Sequence, residues 1–343
     1  MNLIDIRSDT VTKPSKRMLE AMMNSPLGDD VYGEDTTVNK LQEKCALISG
    51  KEKSLFVPSG CMANQLAIKS HTNSGDEVIC EAESHIFNYE TAAPSVISNV
   101  QMVTVPGDNG VLDIEKIKKY VRTSEYYFPK TSLICLENTH NRAGGVIQPI
   151  EKIKESSEFA REMNLRMHLD GARIFNAYVE TGITAKEYAS YFDSISFCFS
   201  KGLGCPVGSI LCGNEEFIDT AHKWRKILGG GMRQAGVLAG AALYVLDNNI
   251  ERLKEDNDKA EYFAKEISKI NGIQVDLETV HTNIVIFSTD KILKKDLIDR
   301  LKEKDVLISS GSYDNLRAVF HKDVSMEEVN ISLDVIRNLF KEL

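Results

Sequence analysis

Short apolar runs recur through the first two-thirds of the chain, each ended by a polar or glycine-containing turn and most followed by a stretch of helical periodicity. The runs are Leu55–Val57, Val78–Cys80, Met102–Val105, Leu133–Leu136, Met167–Leu169, Ile195–Phe199 and Ser209–Cys212. They are too short for helices and rich in β-branched or aromatic residues, which predicts strands. Most are apolar throughout rather than alternating, so both faces of the sheet are expected to be covered. The intervals suit helical crossovers, as around Glu151–Asn164. The pattern predicts an α/β fold with a mostly parallel sheet and helices on both faces.

Ahead of these runs lie an extended polar arm, Ile6–Lys13, a short helix opened by Pro14, and a glycine- and acid-rich loop, Gly28–Asp35. Asp35 and Thr36 are placed to cap an amphipathic helix reaching about Ser49. Past Gly229–Gly231 the chain changes character, with an apolar helix at Ala235–Leu246 and a long charged helix from Glu251. Apolar runs at Ile284–Phe287, Val306–Ile308 and Leu316–Phe320 then alternate with helices near 294–304 and 325–342, the latter opened by a Ser325/Glu328 capping box. This division predicts an arm and large domain over 1–250 and a small C-terminal α+β domain over 251–343.

Composition narrows the partners. The 343 residues carry 41 basic and 50 acidic side chains, and the net charge of −9 argues against nucleic acid or an anionic membrane surface. Seven cysteines, none in a C-x-x-C pair and most inside apolar runs, suggest small core residues in a reducing cytoplasm. The N-terminus meets charge too early for a secretory signal. The longest uncharged apolar stretch is well short of the roughly 20 residues a membrane span needs.

Ligands of open parallel sheets collect at the carboxyl ends of the strands, so the residues there matter most. After Leu55–Val57 comes Ser59-Gly60-Cys61, a small-residue turn into a helix whose free N–H groups suit a phosphate. Asp170, followed by Arg173, ends the run Met167–Leu169, and Lys201 follows Ile195–Phe199 among the glycines 202, 204 and 208. Each has a bland explanation: a plain turn, a helix cap, a solvated lysine. Together they match the needs of pyridoxal 5′-phosphate: a Schiff-base lysine at 201, a phosphate turn at 59–61, and Asp170 on the pyridine nitrogen. His85 is the candidate for the face of the ring, against the alternative of a satisfied loop histidine. His140 points the right way without an obvious partner, and His168 is expected to be structural.

The residues that carry these features also resemble a known family. Arg7–Thr12, Gly28–Asp35, Glu137–Asn141, His168–Arg173, Ser200–Leu203 and Gly229–Gln234, in that order, are similar to the low-specificity L-threonine aldolases, which are fold-type I pyridoxal-phosphate lyases. The resemblance runs from Ile4 to at least Ser325. It implies that Ser8, Arg173 and Arg317 engage a substrate carboxylate, Arg173 also bordering the cofactor, and that Arg233 reaches the cofactor phosphate of a neighbouring subunit in a tetramer of catalytic dimers. Tyr32 would line a neighbour's site. It further implies aldol cleavage of threonine, allo-threonine and related β-hydroxy amino acids, with Lys201, His85 and Asp170 catalytic. The resemblance does not decide whether a structural cation binds.

Two positions depart from the family pattern: Cys61 stands where a threonine hydroxyl is common, and Tyr127 where many relatives carry a histidine near the substrate hydroxyl. Other outcomes of the same cofactor chemistry, such as β-elimination, racemisation or transamination, are the nearest alternatives. A non-catalytic cofactor-binding protein is the more distant one.

Overall fold

The computed structural model describes residues 3–343. The chain begins with β1 (Ile4–Asp5) and then lays down seven strands: β2 (Lys53–Val57), β3 (Glu77–Glu81), β4 (Gln101–Val105), β5 (Thr131–Glu137), β6 (Arg166–Asp170), β7 (Ser194–Cys198) and β8 (Ser209–Gly213). These form one sheet in the order β2-β8-β7-β6-β5-β3-β4. All neighbours run parallel except β8, which is antiparallel to both β2 and β7. The expected run of apolar strands is thus observed, with a single reversal.

Alternation within the strands explains the two covered faces. Leu55 and Val57 turn to one side and pack with helices Gly60–His71 and Glu215–Ile227. Phe56 turns to the other, joining the largest core with residues from helices Thr36–Ser49 and Gly236–Asn248. With both faces desolvated, the near-continuous apolar composition of these strands follows.

A second core lies beneath a four-stranded antiparallel sheet of β9 (Ile273–Gln274), β10 (Ile284–Thr289), β12 (Ser309–Ser310) and β13 (Leu316–Val319), ordered β12-β13-β10-β9. Helices Leu253–Ile267, Lys294–Lys302 and Met326–Lys341 contribute to it. The capping box is present as expected: the Ser325 side chain accepts from the Glu328 N–H while the Glu328 carboxylate accepts from the Ser325 N–H.

The arm joins this second core rather than the first. β1 pairs in parallel with β11 (Val306–Leu307), and Ile4 and Ile6 are buried with Phe263, Phe287 and Phe320. Alternation is the cause: the two isoleucines face inward while Asp5 and Arg7 pair outside, with Arg7 Nη2 2.6 Å from Asp5 Oδ2. The first helix also starts later than Pro14 suggested. It spans Lys16–Met23, with Ser15 as the cap accepting from the Met18 N–H.

Candidate active site

Register brings three functional strand ends level. Glu137 of β5 pairs with Asp170 of β6, and Asp170 pairs with Ser196 of β7. Asp170 is buried and both carboxylate oxygens are held: Asn64 Nδ2 donates to one at 2.7 Å and the Ala172 N–H to the other at 3.1 Å. Asn64 sits in the helix that opens at the 59–61 turn. Its carbonyl oxygen accepts from His168 Nε2 and Ser196 Oγ, and its amide nitrogen also donates to Glu90 at 2.9 Å. His168 is therefore a buried positioning residue, as its place within the sheet suggested.

Glu90 links this network to His85. Its carboxylate accepts from Gln65 Nε2 and Asn64 on one side and from His85 Nδ1 at 2.9 Å on the other. That bond leaves Nε2 of His85 as the nitrogen available to a ligand. Burial disfavours the imidazolium, but the Glu90 hydrogen bond and the nearby charges of Asp170 and Glu137 outweigh it, so the pKa of His85 is raised.

Lys201 lies in the loop between β7 and β8. Its carbonyl is held from two sides, by the Gly204 N–H at 2.8 Å and Thr12 Oγ1 at 3.1 Å. Its ammonium has no hydrogen-bond or ion-pair partner among the described residues, although it contributes to the field at Asp9 and Cys61. Gly204 and Gly208 adopt left-handed backbone here, and a Cβ at Gly208 would strike the Phe56 ring at 2.7 Å. Glycine is thus required for the turn that presents the lysine.

The set fits pyridoxal phosphate. Ser59 caps helix Gly60–His71 by accepting from the Met62 N–H, which leaves the first-turn N–H groups of Gly60 and Cys61 open to an anion. Ser209 Oγ is fully buried without a partner, 3.7 Å from where a Gly60 Cβ would be, and supplies a hydroxyl beside that cradle. Cys61 Sγ comes within 4.8 Å of the ligand atoms of His85 and Glu90. Desolvation first, then the charges of Glu90 and Asp170, push its thiol up to about 11, so it is a neutral group at this position.

Opposite lies a pair of buried arginines. Arg173 Nε and Nη2 donate to the two oxygens of Asp9, both at 2.7 Å, and Nη1 reaches Asn141 Oδ1 at 3.3 Å. Arg317, on β13, donates through Nη2 to the same Asn141 oxygen at 2.8 Å and through Nη1 to the Arg7 carbonyl at 3.1 Å. Its Nε is buried and unpartnered. Burial, then the charge of Arg173, lowers the pKa of Arg317 to about 10. Burial would raise the pKa of Asp9, but the charge and paired bonds of Arg173, with Lys201 and Arg317, hold it well below the usual carboxylate range. The two guanidinium groups thus meet on one neutral amide while only Arg173 is bonded to a carboxylate, which suits a further anion. Ser8 lies between Arg7 and Asp9 and accepts from Thr10 N and Thr10 Oγ1.

Three expected residues are not gathered into this cluster within one chain. Tyr127 precedes β5, at the opposite end of the sheet from Asp170, and is 64% exposed against Tyr126 and Phe128. Within one chain this places Tyr127 apart from the cluster, since β5 runs from Thr131 towards the site at Glu137. Tyr32 is 74% exposed, and Arg233 pairs with Asp29 at 3.0 Å on the same outer face. Their loop is pinned from beneath, where buried Arg225 donates to Asp30 at 2.6 Å and to the Phe56 carbonyl at 2.8 Å. His140 has a partner after all, donating to Glu81 at 2.9 Å. Asp9, Asn64, Glu90 and Asn141 escaped the sequence reading. Asp9 and Asn141 adjoin residues it singled out, and Asn64 and Glu90 lie three and five positions from Cys61 and His85, but the contacts that join them to the site include ones 26 to 274 positions apart.

The family described as Beta-eliminating lyase matches residues 5–290. The chain is 43% identical over 328 residues to the low specificity L-threonine aldolase of Escherichia coli K12, covering 95% of this chain and 96% of that protein. It is 38% identical to low-specificity L-threonine aldolase 1 of Arabidopsis thaliana, covering 97% and 95%. Among solved structures, the threonine aldolase of Leishmania major superposes with a TM-score of 0.84 at 19% identity, over 98% of this chain and 99% of that one. The aspartate aminotransferase of Thermotoga maritima does so at 0.78 and 15% identity, over 99% and 92%. These two share the fold, and their different names illustrate that fold alone does not select a reaction. At the level of sequence the conclusion is narrower: the chain belongs to the beta-eliminating lyases and, within them, to the low-specificity L-threonine aldolase family.

Proposed function

We propose that this protein cleaves L-threonine, L-allo-threonine and related β-hydroxy-α-amino acids to glycine and an aldehyde, acetaldehyde for threonine. The observation that carries the substrate class is the arginine pair: Arg317 is buried beside Arg173 with no carboxylate of its own, and the two meet on Asn141 Oδ1. An amino-acid carboxylate completes that arrangement. Ser8, whose hydroxyl proton is not used by Thr10, assists at the same end.

Pyridoxal phosphate, the cofactor of this family, supplies an electron sink for negative charge developing at Cα. Lys201 would hold its aldehyde, Asp170 its pyridine nitrogen, His85 a face of the ring, and Ser59, Gly60, Cys61 and Ser209 its phosphate. With the carboxylate fixed by Arg173 and Arg317 and the amine directed to Lys201, the bond at Cα that breaks is set by orientation. His85, its Nδ1 engaged by Glu90, takes the β-hydroxyl proton at Nε2. The Cα–Cβ bond breaks, the aldehyde departs, and a proton returns to Cα to give glycine. Atoms balance without water or oxidant.

Product analysis tests the reading. Glycine with acetaldehyde from threonine is expected, and Lys201→Ala should abolish turnover. Formation of 2-oxobutyrate and ammonia would assign β-elimination instead. We further infer a homotetramer of catalytic dimers in the cytoplasm. Support comes from the exposure of Tyr32 and Arg233 and from seven free cysteines, six of them buried. In that assembly Arg233 and Tyr32 serve a neighbour's site.

A further inference from the structure

We propose that the hairpin turn Gly311–Asn315, latched by Arg142 and Glu83, selects the size of the group on Cβ of the substrate. This rests on the aldolase reading. The turn joins β12 to β13 and is closed by the Gly311 N–H on the Asn315 carbonyl at 2.7 Å and the Asn315 N–H on the Ser312 carbonyl at 2.9 Å. Arg317 lies two residues beyond it, so one hairpin carries both the carboxylate-reading guanidinium and this turn.

Three contacts tie the tip to the large domain. Arg142 Nε donates to Ser312 Oγ at 2.8 Å, and Ser312 Oγ donates to Glu83 at 3.2 Å. The Tyr313 hydroxyl approaches the other Glu83 oxygen at 3.5 Å. Arg142 follows Asn141, the residue shared by the two carboxylate-side arginines, so anion binding and the latch are separated by one peptide unit.

The latch continues into the site. The Arg142 guanidinium lies over the Tyr89 ring at 5.1 Å, and that ring is 5.7 Å from His85. Arg142 and Tyr89 both act on the pKa of Arg317, the first lowering it and the second raising it. The result is one wall, His85–Tyr89–Arg142–Ser312–Glu83, running from the proton acceptor to the small domain. A substrate whose carboxylate is on Arg317 and whose hydroxyl is on His85 must direct its Cβ substituent along this wall. On this proposal the closed turn favours a methyl group on Cβ, and releasing it favours an aryl group.

Tyr313 is 82% exposed and has φ +49°, a left-handed conformation that bulky side chains rarely adopt. Its carbonyl accepts from Lys294 and its hydroxyl approaches Glu83, so the conformation depends on contacts rather than on intrinsic preference.

The experiment compares kcat/KM for L-threonine and L-threo-phenylserine in the complete holoenzyme and in Ser312→Ala, Ser312→Thr and Tyr313→Gly. The phenylserine-to-threonine ratio is expected to rise about fivefold or more in Ser312→Ala and Tyr313→Gly. Ser312→Thr, which keeps the hydroxyl, should restore the parent ratio. A general structural defect lowers both substrates alike and leaves the ratio unchanged, and an unchanged ratio in an active enzyme overturns the latch alone. A parent enzyme that cleaves neither substrate overturns the aldolase reading and this proposal with it.

Discussion

The imidazole of His85 is under opposing influences, and Glu90 is the residue that decides between them. Burial favours the neutral ring, yet the Glu90 bond and the surrounding carboxylates raise the pKa above the ordinary value of about 6.5. A proton acceptor must be neutral, so activity should rise with pH through this raised value. In Glu90→Gln the hydrogen bond survives without its charge, and the acid limb of the kcat/KM profile is expected to move to lower pH; an unmoved limb would remove His85 from the proton transfer. The same shift bears on folding. Because the folded value is raised, the contribution of His85 to stability is present at pH below its unfolded value and is lost as pH rises through the folded one. For Asp9 the sign is opposite: its folded pKa is lowered, and its contribution is lost as pH falls through that value. At this scale the sequence exposed Lys201, Asp170 and Arg173 because their spacing against apolar runs is local. It was silent on Glu90 and Asn64, whose carboxylate and amide have no chemistry until a helix and a strand end meet.

Elements were the most readable level. Strands buried on both faces announce themselves as unbroken apolar runs, and all seven were found where expected. Helix Met326–Lys341 is an equally local case, since its capping box joins residues three positions apart. Ser325→Ala should cost about 1 kcal/mol in chemical denaturation and leave kcat unchanged; an altered kcat would connect this helix to the site. Direction and start were harder to read. The reversal of β8 follows from the tight glycine turn that carries Lys201, and the partner of β1 lies some 300 residues away, beyond any local pattern.

Across the whole molecule, the site is a meeting of two cores. Arg173 and Lys201 belong to the large sheet and Arg317 to the small one, while Asp9 and Ser8 arrive on the arm threaded between them. Asn283, beside β10, also donates to Asp9 at 3.2 Å, so the arm is tied to both units. The proposed assembly has a test at this scale. Sedimentation velocity of the holoenzyme should give a tetramer, and Arg233→Ala should raise the dissociation constant for the cofactor by tenfold or more; a monomer at full activity would refute the shared site.

What the sequence determined by itself is the set of local commitments: which segments are strands or capped helices, which glycines permit a tight turn, and which residues of a recognisable series stand at strand ends. These depend on neighbours a few positions apart, where steric preference and periodicity act directly. Only the tertiary structure decided that Arg317 is left without a carboxylate, that Asn141 joins it to Arg173, that Tyr127 lies at the far end of its sheet, and that the small-domain turn closes on Arg142 and Glu83. The reason is that charge balance, burial and reach are properties of side chains brought together from distant positions, and a one-dimensional pattern does not contain those distances.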